Sequence, residues 1–269
     1  MQTQVKLPTW NSKETKKNKY VLDGKDYWRV TSVLSAINKP ALIPWKANIT
    51  LDKARRSLQA NAGKQVTIDD AFIEEIIEGA RAEPDYVLGT ARDFGTDAHY
   101  ALEQYISQGE VPGNASMFRV IGAFNQWVKD NGIEMLPQTE VTVAHSSGYA
   151  GTIDALGIHH GGNEVLPSEL IVIDWKTSGG IYPEAMLQVS AYAAALEECT
   201  GFPVTEAWIV RFPRDEPEPN ELPFDWVRLN RENLSNNFGL FKAAQCLYEN
   251  VMLTAGQRGL HDGTGTIKK

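Results

Sequence analysis

The sequence is poor in cysteine, in long apolar runs and in net positive charge. Only Cys199 and Cys246 occur among 269 residues, which excludes a disulfide framework and any four-cysteine zinc or iron–sulfur site within this chain. No apolar run approaches the roughly 18–20 residues that span a bilayer. The N-terminal lysines precede no apolar stretch of the kind found in a signal peptide. We therefore expect no membrane association and a cytoplasmic protein, in the host cytoplasm if the protein is viral.

The acidic balance of the chain is unevenly distributed. The 26 Lys and Arg are outnumbered by 34 Asp and Glu, for a net charge of −8, which argues against a nucleic-acid partner for the surface as a whole. The first 60 residues, however, hold 12 of the basic residues and only 4 of the acidic ones. Such a segment can bind a polyanion locally, although a solubilising lysine cluster explains the same pattern equally well.

The apolar periodicity predicts an α/β protein. A short strand or turn around YVLDGKDYWRV precedes several helical segments, the last across SMFRVIGAFNQWVKDNG. Three strand-like runs follow, TEVTVAH, GYAGTIDALGIH and LIVIDWKT, and then an alanine-rich helix that begins at Pro183 and ends at Gly201. Two further strands, TEAWIVRF and FDWVRL, and a closing helix complete a mixed central sheet flanked by helices.

Two charged residues interrupt the apolar strand LIVIDWKT. A desolvated carboxylate or ammonium is unfavourable unless it is paired or binds a metal, so Asp174 and Lys176 need an explanation. If this strand and GYAGTIDALGIH form a hairpin centred near Glu164, Asp154 lies directly opposite Asp174, with Cβ atoms about 4.5–5.5 Å apart. Lys176 then shares that face, while Trp175 points the other way. The spacing predicts two carboxylates and one ammonium on one patch.

This combination of charges favours metal-assisted chemistry. Opposed carboxylates repel each other, and Mg²⁺, which prefers oxygen ligands, removes the repulsion. The Trp175 carbonyl is placed to add another oxygen. A neighbouring lysine can orient a metal-bound water or neutralise charge on a phosphate. The pattern therefore favours attack of water on a phosphodiester, although an isolated Asp-x-Lys is more often a structural ion pair at a sheet edge.

Further motifs surround this pair in a set order. The whole set resembles the RecB-like branch of the PD-(D/E)xK nuclease superfamily, which carries a G-x-x-x-H helix, a G-x-x-D strand, a D/E-x-K strand and a Q-x-x-x-Y helix. This chain has all four in that order: Gly95 to His99, Gly151 to Asp154, Asp174-Trp175-Lys176, and Gln188 to Tyr192. Each motif alone is weak evidence for this branch. Four motifs in the same order, on helices and strands predicted independently of them, are strong evidence for the resemblance.

The resemblance covers roughly residues 89–212 and implies a restriction-endonuclease-like core. We accordingly predict a mainly helical N-terminal region at 1–88 that forms a wall of a DNA channel, a nuclease core at 89–256 and a flexible tail at 257–269. Ile153 stands where the superfamily has its name-giving proline, which is often absent in this branch. Two cysteines cannot hold the iron–sulfur cluster of some relatives, so the likeness is to cluster-free exonucleases of phages and mobile elements.

The resemblance also implies a role for each matching residue. Asp154, Asp174, His99 and the Trp175 carbonyl would be metal ligands. Lys176 would act on the attacking water. The remaining pair, Gln188 and Tyr192, would hold the DNA near the scissile phosphate or help to position Lys176.

Three further residues lie near the motifs without belonging to them. Glu103, one turn after His99, is either a neighbour of the metal ligands or a helix-surface acid. Arg92 is a candidate phosphate contact. Glu140, in TEVTV, is expected to be an ordinary exposed strand residue rather than part of the site.

The function that the resemblance implies is a DNA exonuclease that depends on Mg²⁺ or Mn²⁺, with two ions per site and no iron–sulfur cluster. Its partners would be the ends of linear DNA, single- or double-stranded, and a recombination or replication protein is a further candidate. The alternatives are an endonuclease of the same superfamily, a non-catalytic nucleic-acid-binding module on a nuclease fold, and a hydrolase of another phosphate ester.

Overall fold

A mixed sheet with helices on both faces organises the chain. The computed structural model describes residues 6–111, 113–159 and 169–252, and the elements named here lie within them. The strands are β1 Lys13–Thr15, β2 Lys19–Leu22, β3 Lys25–Arg29, β4 Ile133–His145, β5 Tyr149–His159, β6 Glu169–Lys176, β7 Val204–Arg211 and β8 Asp225–Leu229. The helices are α1 Val30–Val33, α2 Leu42–Ala60, α3 Asp70–Gln108, α4 Ala115–Asn131, α5 Pro183–Thr200 and α6 Arg231–Leu247. The predicted fold class is confirmed.

Turn and cap residues set several of these boundaries. Asp23 and Gly24 join β2 to β3 with φ of 48° and 77°, the positive values that a two-residue hairpin turn requires. Helix α5 begins at Pro183 and its C-cap is Gly201 with φ of 69°, as the sequence predicts. Among the helices of the described ranges, none is both long and apolar enough to cross a membrane.

The described residues divide into two compact units. Asn38–Thr96 forms one, and the described residues on either side of it form the other. The predicted N-terminal region 1–88 is thus split, because its first strands belong to the sheet, whereas the regular secondary structure of Asn38–Thr96 is helical throughout. Strand β1 was not predicted, since all three of its residues are exposed and show no apolar alternation. The predicted tail 257–269 lies outside the described residues.

The Asn38–Thr96 unit contains α2 and the first part of α3. Helix α3 runs through Pro84 as one helix of 39 residues. Lys53 and Arg56 of α2 both form ion pairs with Glu83. These pairs neutralise part of the positive charge that the sequence places in this region.

Strand β5 is the centre of the sheet. It pairs with β4 antiparallel from Tyr149 to His159, with a register shift between Met135 and Thr139. On its other edge it pairs with β3, parallel, at Tyr149 and Ala150, and with β6, antiparallel, from Ala155 to His159. Strand β6 then pairs parallel with β7, and β7 antiparallel with β8. Within the described part of the chain, residues 151–154 therefore have no strand partner on that edge, and Asp154 lies in this gap.

The register between β5 and β6 is the one predicted from the sequence. Ala155 pairs with Ile173 and Leu156 with Val172, which places Asp154 and Asp174 one step beyond the last pair. The predicted hairpin centre at Glu164 lies outside the described residues.

The two faces of the sheet have different cores. Helices α5 and α6 cover one face, where aliphatic residues such as Val172 and Leu196 are fully buried. On the other face, Trp127 of α4 meets the rings of Trp175 and Trp208 edge-on, with centroids 5.7 and 5.8 Å apart. Trp175 thus points into the core, as predicted from strand alternation.

Candidate active site

Asp174 is a buried carboxylate that other side chains compensate. Only 1% of its surface is exposed, so the charge needs partners. The Lys176 ammonium lies 2.5 Å from Asp174 Oδ2, and Gln188 Nε2 donates to Asp174 Oδ1 at 2.9 Å. Burial and the charge of Asp154 raise the pKa of Asp174 to about 6, although Lys176 opposes the shift.

Gln188 on α5 connects Asp174, Lys176 and Tyr192 by hydrogen bonds, and we call these four residues the first group. Besides its bond to Asp174, its Nε2 donates to the Tyr192 hydroxyl at 3.1 Å, and its Oε1 accepts from Lys176 Nζ at 3.4 Å. Burial acts to lower the pKa of Lys176, but the charges of Asp174 and Asp154 outweigh it and raise that pKa above its usual value. The side chain is therefore a fixed ammonium and not a base in this state.

Tyr192 links the α5 motif to the strand motif through Gly151. A Cβ at Gly151 would lie 2.2 Å from Cε1 of the Tyr192 ring, a distance that real Cβ atoms do not tolerate. The glycine of G-x-x-D thus makes room for the tyrosine of Q-x-x-x-Y. With Tyr192 in place, position 151 therefore has to be a glycine for steric reasons.

Asp154 is held by the backbone of β6. Its Oδ2 accepts from the Trp175 N–H at 2.8 Å, so the carboxylate occupies the place where a strand partner would otherwise be. The Lys176 carbonyl accepts from the Phe212 N–H at 2.8 Å, on the β7 side. Because peptide groups alternate in direction along a strand, the Trp175 carbonyl faces the Asp154 side, as its predicted role requires.

His99, Glu140 and Asp154 form a second group. One potential ligand atom from each lies within 4.8 Å of the others, and His99 Nδ1 is 3.6 Å from Asp154 Oδ1. Burial acts to lower the pKa of His99, but the charges of Asp154 and Asp174 raise it to about 9. Desolvation and Asp154 raise the pKa of Glu140 to about 7. The group is crowded with ionisable side chains whose charges are incompletely balanced.

Glu140 is the residue that sequence reasoning undervalued. It is exposed, as expected, yet its carboxylate joins the group. Its φ is 52°, which is uncommon for a residue other than glycine. The alternation in TEVTV assumes regular strand backbone, so nothing in that pattern signals the departure.

The donor set of the second group fits a divalent metal. One imidazole nitrogen and two carboxylates are ligands that Mn²⁺ accepts, and the carboxylate oxygens suit Mg²⁺. Asp174, also predicted as a ligand, is not one of the three, but it lies opposite Asp154 in the strand register and its buried Oδ2, apart from the ion pair with Lys176, has no hydrogen-bond partner within the described residues.

Two other predicted residues differ in placement. Glu103 is half-buried, and its charge raises the pKa of Glu140, so it lies near the second group rather than on a distant helix surface. Arg92 is exposed, belongs to the Asn38–Thr96 unit and lies 3.9 Å from the Asp93 carboxylate.

Comparisons with known proteins give distant likenesses. No protein-family model and no curated protein matches the sequence. Among solved structures, the chain is similar to an alkaline exonuclease from Laribacter hongkongensis at 16% identity, over 61% of this chain and 86% of that one, with a TM-score of 0.29. The same exonuclease in complex with dAMP gives 18% identity over the same shares and a TM-score of 0.28. A structure named SSO0001 gives 12% identity over 88% of this chain and 87% of that one, with a TM-score of 0.30. Likenesses at this level assign no role to any residue.

Proposed function

We propose that this protein is a metal-dependent deoxyribonuclease that hydrolyses phosphodiester bonds at the ends of linear DNA. The observation that carries the proposal is the convergence of Asp154, Asp174 and Lys176, with Gln188 bonded to both the carboxylate and the ammonium of the D-x-K strand. A simple surface ion pair would need neither the half-buried glutamine bridge nor a second group of ionisable side chains beside it.

The second group provides the metal ligands in this proposal. His99, Glu140 and Asp154 would hold the cation, with the Trp175 carbonyl as a further oxygen on the same side. Mg²⁺ or Mn²⁺ bound there, with two ions per site as the resemblance implies, would acidify a water and neutralise phosphate charge.

The residues of the first group then act on the substrate. Lys176 stays protonated, so it stabilises negative charge on the phosphate and orients the water by donating to it. Gln188 keeps the ammonium and Asp174 at fixed positions, and Tyr192 keeps Gln188 in place. Gln188 and Tyr192 are therefore positioning residues in this mechanism. The reaction ends with a phosphate monoester on one side of the cut and a hydroxyl on the other.

The choice of an exonuclease over an endonuclease rests on the resemblance, and one experiment decides it. End-labelled single-stranded, double-stranded and closed circular DNA are incubated with the protein in Mg²⁺ and in Mn²⁺, and products are resolved over time. Release of mononucleotides from linear DNA with intact circles is the expected result. Cleavage of circles would make the protein an endonuclease.

The catalytic proposal itself is tested with variants in the same assay. Asp174→Ala and Lys176→Ala should abolish degradation, while Lys25→Ala, an exposed lysine of β3, should not. A wild-type protein that shifts DNA in a gel without degrading it would leave a binding module instead. Hydrolysis of a small phosphate ester without activity on DNA would point to another phosphoesterase.

A further inference from the structure

A row of polar side chains leads from the second group toward the first strands. Thr142 of β4 and Thr152 of β5 are register partners, and their hydroxyl oxygens are 3.3 Å apart. Thr142 is two residues from Glu140 and Thr152 two from Asp154. Two residues along a strand span roughly 6.6 Å, so the threonine pair lies next to the carboxylates of the candidate metal group.

Strands β1 and β2 bring a cation to this row. Lys13 Nζ donates to Thr142 Oγ1 at 2.6 Å, and the Tyr20 hydroxyl is 3.0 Å from Thr152 Oγ1. The Lys13 ammonium also lies 5.9 Å from the centre of the Tyr20 ring, and the Arg29 guanidinium lies 5.6 Å from it. Lys13 is exposed, and an ammonium has three donors, of which Thr142 uses one. The remaining donors suit an anionic ligand.

The charge around Lys13 has the sign that a polyanion requires. Residues 6–29 contain seven Lys or Arg and three Asp or Glu, whereas the whole chain has a net charge of −8. Lys13 Nζ is bonded to Thr142 Oγ1, and Thr142 lies two residues from Glu140 on the same strand. The ammonium is therefore near enough to the candidate metal group for a strand of DNA to contact both.

We propose that Lys13 binds a non-bridging phosphate oxygen of the DNA strand at the linkage next to the one that is cleaved. The Thr142–Thr152 pair and Tyr20 hold the ammonium at this position, so Lys13 is a binding residue and the other three are positioning residues. This inference rests on the proposed function, since it takes DNA as the substrate of the neighbouring site. Strands β1 and β2 would then help to position the DNA strand and take no part in the hydrolysis itself.

The first test measures DNA binding without cleavage. Lys13→Gln and Lys25→Gln are each made in an Asp174→Asn background, and the affinity for a labelled single-stranded oligonucleotide is measured by fluorescence anisotropy across a salt series. Lys25 is the matched control, because it is also an exposed lysine, in the neighbouring strand β3. Its ammonium lies 5.0 Å from the centre of the Tyr27 ring.

Loss of one charged hydrogen bond to phosphate should weaken binding roughly tenfold at low salt. It should also reduce the slope of log K against log salt by about 0.7 for a single strand. Lys25→Gln should change both quantities by much less. Equal changes in the two variants would overturn the inference, because they would indicate a diffuse basic surface. Thermal melting of each variant shows whether it is folded.

The second test locates the phosphate. A single neutral methylphosphonate linkage is moved stepwise along the oligonucleotide, and its effect on affinity is measured with and without Lys13→Gln. At one linkage the two changes should be non-additive, because both remove the same contact. Additive effects at every linkage would overturn the proposed subsite.

Failure of the inference and failure of the proposed function give different results. Lys13-dependent binding at one linkage, by a protein that degrades no DNA, would retain the subsite and remove the nuclease. Degradation of DNA with no special effect of Lys13 would retain the nuclease and remove the subsite.

Discussion

The two groups of the candidate site differ in how far the protein itself satisfies them. Asp174 forms an ion pair with Lys176 and accepts a hydrogen bond from Gln188, which also donates to Tyr192, so the first group is closed by one ion pair and two hydrogen bonds of the chain itself. The second group brings His99, Glu140 and Asp154 together, and the pKa values of its histidine and glutamate are strongly shifted. The first group resembles a finished part of the core. The second resembles a site that a cation completes.

The largest effect should come from breaking the closed group. Lys176→Met leaves the buried Asp174 carboxylate without its cation, and breaking a buried pair costs about 3–5 kcal/mol. Denaturant unfolding should show this loss, and DNA hydrolysis should fall at least roughly 100-fold. The double variant Asp174→Asn with Lys176→Met should recover most of the stability but none of the activity. Unchanged stability in the single variant would contradict a closed group.

A steric change should give the next largest effect. Gly151→Ala places a methyl group against the Tyr192 ring, and overpacking of this kind costs about 1–3 kcal/mol. Tyr192→Leu in the same protein should recover part of the loss by making space. Gly239→Ala in α6 is the control, since nothing lies within 4 Å of its added Cβ, and it should stabilise slightly because alanine favours a helix. Equal melting temperatures of the two alanine variants would rule out the steric link between the motifs.

Removing a charge from the second group should leave the stability of the metal-free protein unchanged or raise it, in contrast to the two changes above. Glu140→Gln relieves repulsion with Asp154, so the metal-free protein should be as stable as wild type or slightly more stable. The rise in melting temperature on adding Mn²⁺ should shrink, because one ligand is weakened. Glu14→Gln, an exposed acid of β1, should keep the full rise. A full rise in Glu140→Gln would place the metal elsewhere.

The smallest effect concerns pH. The pKa of His99 is raised from 6.5 to about 9, so its charged form stabilises the metal-free protein fully below about pH 6.5, and this contribution is lost as pH rises toward 9. Metal binding requires the neutral imidazole, so Mn²⁺ affinity should increase over the same range and protons should be released. Titration calorimetry in two buffers measures the release. His99→Gln should release fewer protons, and an equal release would exclude His99 as a ligand.

The sequence predicted those parts of the site that follow from the spacing of residues along regular strands and helices. The register of β5 against β6 followed from the equal sequence separation of Asp154 and Asp174 from the hairpin centre, and the four-residue spacing of the Q-x-x-x-Y motif agrees with the contact between Gln188 and Tyr192. Both depend on regular backbone, which fixes where side chains point.

What the sequence did not predict depends on irregular backbone or on contacts far apart along the chain. Glu140 joins the second group from a left-handed conformation that no alternation rule covers. Strand β1 is short and polar, and it is held in the sheet by distant partners such as Thr142, which accepts from Lys13. The bond from the Trp175 N–H to Asp154 replaces a regular strand pair. None of these leaves a periodic signal in the sequence.

The gap on the β5 edge constrains how this chain can vary. Residues 151–154 fill the interval between the end of β3 pairing and the start of β6 pairing, and that interval holds both the glycine beside Tyr192 and the carboxylate beside the Trp175 N–H. A substitution elsewhere in β5 changes one side chain. A one-residue insertion within the gap would move Gly151 and Asp154 out of step with each other, and no compensating side chain could restore both contacts. Mutagenesis libraries should therefore tolerate many replacements along this strand and almost no change in its length.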